Sequence, residues 1–222
     1  MAFPLSQTEI EKEVLQLFVA GLSGSAKDFH SWVYMETFRK FKDHPEFEIK
    51  VIADYFDKLK AAEDIEPNPL DPREFTLSVK SPNAKKVSNA EKFVILGALK
   101  YNPIQYVRSR LENFLKKNSV DEEIIMDLCI ATVEAVENSA KYGDGLNVDV
   151  TYNIDRNKIF TLEMLNKVKD FNLEDDILRG KFSSTATLMR GMMVMQKLYD
   201  TVDLDILDNR RQAYLKASRK IA

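Results

Sequence analysis

The chain has 222 residues, of which 45% are hydrophobic and 30% are charged, a composition typical of a folded globular protein rather than a disordered one. Its formal net charge of −3 argues against the basic excess of proteins that bind nucleic acids or anionic membranes. The single cysteine, Cys129, excludes a disulfide within the chain. The longest apolar run, residues 93–99, is too short to cross a bilayer. We therefore expect a cytoplasmic protein that binds neither nucleic acid nor membrane directly.

The first part of the chain, residues 1–66, is predicted to be a helical segment. Ser6 and Glu9 form a capping-box pattern, and apolar residues follow at helical spacing. Two more helices are predicted at residues 27–42 and 45–62, with Pro45 in the first turn of the latter. Residues 67–90 are expected to be a connector, because prolines end the helical pattern, with a possible short strand at 75–79.

The second part, residues 91–222, alternates between strand and helix patterns. Strands are predicted at residues 92–99, 147–154, 159–165, 202–207 and 212–216. Helices are predicted at residues 104–117, 121–142, near 173–178 and at 187–199. Helices grouped against antiparallel hairpins predict an α+β fold with two layers. The sequence has no glycine-rich phosphate loop, and the two consecutive helices also argue against a doubly wound parallel sheet.

The strongest chemical pattern lies in the predicted helix 121–142. Glu134 and Asn138 are four residues apart and share a helix face, roughly opposite an apolar stripe. The stripe comprises Ile125, Cys129, Thr132, Val136 and Ala140. A carboxylate and an amide one turn apart suit a hydrated Mg²⁺ and the orientation of a hydroxyl group near a phosphate. The same spacing also fits an ordinary exposed polar face, and the spacing leaves both interpretations open.

The segment Glu134-Ala-Val-Glu-Asn138-Ser-Ala-Lys-Tyr-Gly143 resembles the N box of histidine-kinase-like (Bergerat or GHKL) ATPases. It is most similar to that of bacterial anti-sigma-factor serine kinases, and the resemblance extends over about residues 90–218. It implies a Bergerat-type sandwich, an antiparallel or mixed sheet with helices on one face. It also implies that Glu134 is the general base and that Asn138 binds Mg²⁺.

The next family motif is altered in this sequence. Asn166 stands where the family has an aspartate that binds the adenine amino group, and Val168 stands at the first glycine. An asparagine can still offer its carbonyl oxygen to an amino group. A β-branched side chain at position 168 does not suit a close backbone approach to the nucleotide.

The second glycine box is altered as well. Met189 replaces its first glycine, whereas Gly191 is kept and Arg190 lies between them. The resemblance implies that this loop and the N-terminus of the following helix bind phosphates through backbone N–H groups. Arg190 could pair with a phosphate. Residues 179–187 would form a short ATP lid.

The resemblance implies a regulator that binds ATP and Mg²⁺ and switches between two protein partners, a sigma factor and an antagonist protein. Such a regulator could also act as a serine/threonine kinase on the antagonist. A homodimer fits the same family. A second possibility is a non-catalytic protein-interaction module that no longer binds nucleotide. A third is a histidine phosphotransferase that uses His30, although Tyr34, Phe38 and Phe41 share its helix face and favour a packing role.

Overall fold

The computed structural model describes residues 3–42, 44–69, 71–84, 88–169, 182–207 and 211–222, and it describes side chains throughout these ranges except in residues 182–189. The described residues fall into two compact units. The first comprises Met1–Val87 and Leu99–Asn113, and the second comprises Ser88–Ala98 and Phe114–Ala222.

The first unit is mainly helical. Its elements are α1 (Gln7–Val19), α2 (Ala26–Phe41), α3 (Ile49–Ala61), β1 (Ile65–Asn68), β2 (Asp71–Leu77), a 3₁₀ turn (Leu99–Tyr101) and the first part of α4 (Pro103–Lys117). The capping box predicted at Ser6 and Glu9 is confirmed at the start of α1, and Ser25 and Asp28 form a second one at the start of α2. Reciprocal side-chain bonds of this kind satisfy N–H groups that a helix start leaves free.

The core of the first unit is aromatic. Phe18 stacks on Phe29 with ring centroids 4.1 Å apart, and Phe56 meets Phe29 edge-on at 5.2 Å. All three side chains are buried, together with Trp32. Large rings of this kind bury much apolar area per residue, so a few of them supply a large part of this core.

Two predictions for the N-terminal part differ from the structure. Helix α3 begins at Ile49 rather than at Pro45, because the backbone before Ile49 is extended. In this extended segment the Phe47 carbonyl is hydrogen-bonded to the His30 ring. The segment 67–90, expected to be a connector, contains part of an antiparallel hairpin in which β1 pairs with β2. Pro67 is compatible with β1 because this strand pairs on one side only in the described part of the sheet.

Residues 99–113, expected in the C-terminal domain, belong to the first unit. The indole N–H of Trp32 donates to the Asn102 carbonyl at 3.2 Å. Gln105 and Ser109 both donate side-chain hydrogen bonds to the Ser23 carbonyl at 3.1 Å. These bonds attach the start of α4 to the chain reversal between α1 and α2.

The second unit is an α+β sandwich. Its helices are the end of α4, α5 (Glu122–Tyr142) and α6 (Phe182–Leu198), and its strands are β3 (Ala90–Leu96), β4 (Gly143–Ile154), β5 (Ile159–Val168), β6 (Thr201–Leu207) and β7 (Gln212–Lys220). The strands form an antiparallel sheet in the order β3-β4-β5-β7-β6. The helices pack on one side of this sheet, as a Bergerat-type fold requires, so the predicted fold class is confirmed.

The alternation of buried residues explains why one face of the sheet is covered. In β4, Val148, Val150, Tyr152 and Ile154 are buried, and in β5, Phe160, Leu162, Met164 and Asn166 are buried. Side chains of alternate residues point to the same face, so these two sets lie together beneath the helices. The opposite face carries residues such as Thr151, Thr161 and Glu163, which are half-buried.

Several boundaries in the second unit also differ from prediction. Strand β3 ends at Leu96, and the chain then enters the 3₁₀ turn instead of continuing as a strand to residue 99. Strand β4 begins at Gly143, with an irregularity in its pairing between Gly143 and Val148. The short helix predicted near residues 173–178 lies outside the described residues.

Candidate functional site

Helix α5 positions the two residues of the predicted N box. Asp121 caps its start by accepting a hydrogen bond from the Glu123 N–H. Of the predicted apolar stripe, Ile125, Cys129, Thr132 and Val136 are buried, whereas Ala140 is half-buried. Leu128, Ala131 and Ala135 are buried as well, so the covered face is wider than predicted.

Glu134 and Asn138 do not lie on an open polar face. Both side chains are half-buried and meet helix α6 at Gly191. A Cβ atom on Gly191 would lie 2.9 Å from Glu134 Oε2 and 2.9 Å from Asn138 Nδ2. Any larger residue would therefore displace the carboxylate and the amide, so glycine allows helix α6 to approach them this closely.

Helix α6 begins five residues earlier than its predicted start at residue 187. The helix begins at Phe182, so Gly191 lies in its interior rather than at its N-terminus. An interior N–H donates to the carbonyl four residues earlier and is not free to bind a phosphate. The predicted lid is helical over residues 182–187, and its residues 179–181 lie outside the described residues. Met189, a good helix former at the first glycine position of the box, removes the flexibility that would interrupt the helix there.

Asn166 joins the same region from the sheet. It lies on the helix-facing side of β5, is only 7% exposed, and accepts a hydrogen bond from the Ser139 hydroxyl at 3.4 Å. Its own Nδ2 donates to the Lys167 carbonyl at 3.0 Å. The carbonyl oxygen proposed to bind an adenine amino group is therefore already in contact with a hydroxyl of helix α5.

The remaining predicted positions are arranged differently. Val168 pairs with Gly143, and its N–H donates to the Arg211 carbonyl at 3.0 Å, so it forms part of the sheet rather than a nucleotide-binding turn. Arg190 is exposed. Because adjacent helix residues face about 100° apart, its side chain does not share the face on which Gly191 meets α5.

The C-terminal end of helix α6 is held by polar contacts that no sequence pattern indicated. The Tyr199 hydroxyl, immediately after the helix, is buried and lies 3.1 Å from the Thr132 hydroxyl. Burial is the largest influence on this phenol and raises the pKa of Tyr199 far above its ordinary value. One Nη atom of Arg219 donates to Asp127 at 2.8 Å and to the Leu198 carbonyl at 3.0 Å. A cation bonded to the last carbonyls of a helix stabilises that helix end.

His30, the candidate phosphotransferase residue, is engaged in the first unit. Its Nε2 lies 2.7 Å from the Phe47 carbonyl, and its ring centroid lies 4.4 Å from that of Phe47. A carbonyl only accepts hydrogen bonds, so Nε2 carries a proton in this arrangement. The geometry agrees with the packing role that the aromatic stripe favours.

Two features are absent from the part of the chain that the structure describes. It contains no group of three or more histidine, cysteine, aspartate or glutamate side chains that could hold a metal ion. No helix in the described ranges is long and apolar enough to span a membrane.

Comparison with known proteins gives a distant structural likeness. No family model and no curated protein matches the chain. Among solved structures, the RsbU and RsbW domains of Rv1364c from Mycobacterium tuberculosis align with a TM-score of 0.46 and 12% identity. The alignment covers 67% of this chain and 35% of that chain, so this protein spans about a third of the length of its solved neighbour.

Proposed function

We propose that this protein is a regulator of the anti-sigma-factor type whose Bergerat-type sandwich acts by binding proteins rather than by turning over ATP. The observation that carries the proposal is the position of Gly191. It lies inside helix α6 and against Glu134 and Asn138, where the family resemblance expects a loop that binds phosphates.

The physical argument concerns the groups that a nucleotide would need. Phosphates bind where several backbone N–H groups are free, as at the start of a helix. To free the N–H of Gly191, helix α6 would have to unwind from residue 182 through residue 187, whose carbonyl accepts from an N–H four residues later, and the contacts with Glu134 and Asn138 would be lost or rebuilt. Asn166 would also have to exchange its Ser139 partner for the adenine amino group. The residue types resemble those of an Mg-ATP site, whereas Gly191 of helix α6 lies directly against Glu134 and Asn138.

The second candidate is an ATP-dependent serine/threonine kinase. It is favoured by the position of Glu134 Oε2 and Asn138 Nδ2, which both lie next to Gly191. Asn166 is hydrogen-bonded to Ser139, the residue that follows Asn138 in helix α5. In this case the Asn138 amide would turn so that its oxygen faces Mg²⁺, and the ion would screen the phosphate charge. Glu134 would accept the proton of the attacking hydroxyl group.

The kinase would need a rearranged α6. Its first turns would open so that the segment around Gly191 could bind phosphates through backbone N–H groups. Arg190 would then pair with a phosphate oxygen. Asn166 would turn its amide oxygen toward the adenine.

Calorimetric titration with Mg-ATP and with Mg-ADP distinguishes the two candidates. The wild type is compared with Asn138→Ala and with a matched control, Asn153→Ala, whose side chain is exposed on strand β4. Absence of heat in all three folded proteins supports the protein-binding regulator. Micromolar binding that Asn138→Ala weakens and Asn153→Ala leaves unchanged contradicts it and supports the kinase.

The proposed partners are a sigma factor and an antagonist protein, and the proposed compartment is the cytoplasm. Sedimentation of the purified protein alone tests the homodimer that the resemblance implies. Sedimentation with each purified partner, with and without Mg-ATP, tests the switch. A complex that forms equally well without nucleotide is the result expected for the protein-binding regulator.

A further inference from the structure

Strand β6 is an edge of the five-stranded sheet with an unusual exposure of apolar side chains. None of its residues from Thr201 to Leu207 is buried. Leu204 is 39% exposed, Ile206 is 51% exposed and Leu207 is 44% exposed. The strand at the other edge, β3, buries Phe93, Ile95 and Leu96, so the two edges differ.

The backbone of β6 also offers hydrogen-bonding groups on its outer side. The carbonyl of Leu207 accepts from the Arg211 N–H at 3.1 Å and therefore points toward β7. Because backbone groups of successive residues point to opposite sides of a strand, those of Val202, Leu204 and Ile206 point away from β7. Within the described part of the chain, no strand pairs with this outer side.

The two faces of β6 differ in chemistry. Val202 and Leu204 lie opposite Ala217 and Leu215 of β7, so the even-numbered apolar residues share the helix-facing side of the sheet. A segment added at this edge would place its own alternate residues beside Leu204 and Ile206. Apolar residues at those positions would remove exposed apolar surface from water.

The opposite face of the same edge is acidic. Asp203 lies across from Lys216, and Asp205 lies across from Tyr214. The Lys216 ammonium group lies 3.5 Å from the Glu163 carboxylate on the neighbouring strand β5. Partial burial, followed by a hydrogen bond to Glu163 and the nearby charges of Glu163 and Asp205, raises the pKa of Tyr214. Asp203 and Asp205 therefore place two carboxylates on one face of this edge, beside an exposed backbone.

The two aspartates determine which kind of strand can pair with β6. If a second copy of β6 paired antiparallel with the first about Leu204, each Asp203 would lie opposite an Asp205. Like charges directly opposite in a sheet are destabilising. A strand with lysine or arginine at those two positions would instead form two attractive cross-strand pairs.

We propose that β6 receives an added strand from a partner protein, in which apolar residues alternate with lysine or arginine. The added strand would bond to the outward backbone groups of Val202, Leu204 and Ile206. Its apolar residues would cover Leu204 and Ile206, and its basic residues would face Asp203 and Asp205. This mode of recognition joins backbone bonds, which give affinity, with alternate side chains, which give selectivity. It does not depend on whether the protein binds ATP.

Two synthetic peptides test the proposal on the full chain. The probe is Thr-Val-Lys-Val-Lys-Val-Thr, and the control Thr-Val-Glu-Val-Glu-Val-Thr keeps the apolar residues and reverses the charge. We expect the lysine peptide to bind roughly tenfold more tightly at low salt, and the difference to shrink as salt is added. Hydrogen exchange should show new protection at the amides of Val202, Leu204 and Ile206.

A double substitution isolates the role of charge. In Asp203→Asn with Asp205→Asn, both peptides should bind with similar affinity, which at the same time shows that the edge is still folded. The matched control Asp149→Asn removes a carboxylate from the same face on strand β4, and it should keep the preference for lysine.

Three results would overturn the proposal. The first is equal binding of the two peptides to the wild type, and the second is binding of neither at millimolar concentration. The third is sedimentation as a dimer with the amides of Val202, Leu204 and Ile206 already protected, which would show that a second copy occupies the edge.

Discussion

Helix α6 contacts helix α5 in two regions of opposite character. Near its end, Tyr199 and Arg219 join it to Thr132 and Asp127 through hydrogen bonds and an ion pair. In its interior, Gly191 meets Glu134 and Asn138 by close approach alone. The first region depends on partners whose polar groups are satisfied, whereas the second depends on the absence of a side chain. Substitutions at the two regions should therefore differ in kind.

The largest effect is expected at the close approach. Gly191→Leu would place a branched side chain against Glu134 and Asn138, and overpacking of this kind costs about 1–3 kcal/mol. Gly191→Ala is the graded control, because the overlapping atoms are ends of side chains that can shift and alanine favours the helix. Urea denaturation followed by circular dichroism measures both. A Gly191→Leu protein as stable as the wild type would show that α6 does not lie on the N box.

The buried hydroxyl pair should give the next largest effect. Tyr199→Phe leaves the Thr132 hydroxyl without its partner in a buried position, which costs about 1–2 kcal/mol in free energy of unfolding. The double variant with Thr132→Val removes both hydroxyl groups and should recover much of that loss. Equal losses in the single and double variants would contradict a direct bond between them.

Tyr199 should also make the free energy of unfolding depend on pH in the alkaline range. Its pKa is raised on folding, so its contribution to stability is complete below its ordinary pKa of 10.0 and is lost as the pH rises toward the folded pKa. Over that interval the free energy of unfolding should fall by about 1.4 kcal/mol per pH unit from this group alone. The measurement is the difference in free energy of unfolding between the wild type and Tyr199→Phe, taken at pH 9 and again at pH 11. The other tyrosines contribute equally to the two proteins and cancel in this difference. A constant difference would show that the phenol is not buried.

The smallest effect is expected at the ion pair. Asp127→Asn keeps the shape of the side chain and removes the charge that faces Arg219, whose side chain is 21% exposed. A partly exposed pair of this kind contributes about 1 kcal/mol or less. The loss should diminish in 1 M salt because salt screens such charges. Glu163→Gln, in the more exposed and longer pair with Lys216, is the control and should change stability less.

The sequence predicted the elements of the sandwich well because their signals are local. Alternating apolar residues predict β4 and β5, and the polar segments 155–157 and 207–210, which predict turns, separate the paired strands of the two hairpins. The capping box at Ser6 involves residues only three apart, and it too was predicted and found.

The start of α6 and the contacts of the site could not be predicted in the same way. No glycine or proline lies between Phe182 and Arg190 to mark a boundary, and the family resemblance predicts a lid rather than a helix at residues 179–187. The approach of Gly191 to Glu134 joins residues more than fifty positions apart, and no local pattern specifies it. The family resemblance singles out Glu134, Asn138, Asn166 and Gly191 as a nucleotide site, which stays a prediction, but it does not specify the close approach of Gly191 to Glu134 and Asn138.

The order of strands in the sheet has a consequence for synthesis on the ribosome. Strand β7 follows β5 and β6 in the chain, yet it lies between them. Until β7 has emerged, β5 has an open side, β6 has no neighbour, and Leu198 has no arginine at its carbonyl. The sandwich therefore closes only after translation has passed Arg219, and a nascent chain stalled before that point would expose β5 to chaperones and proteases.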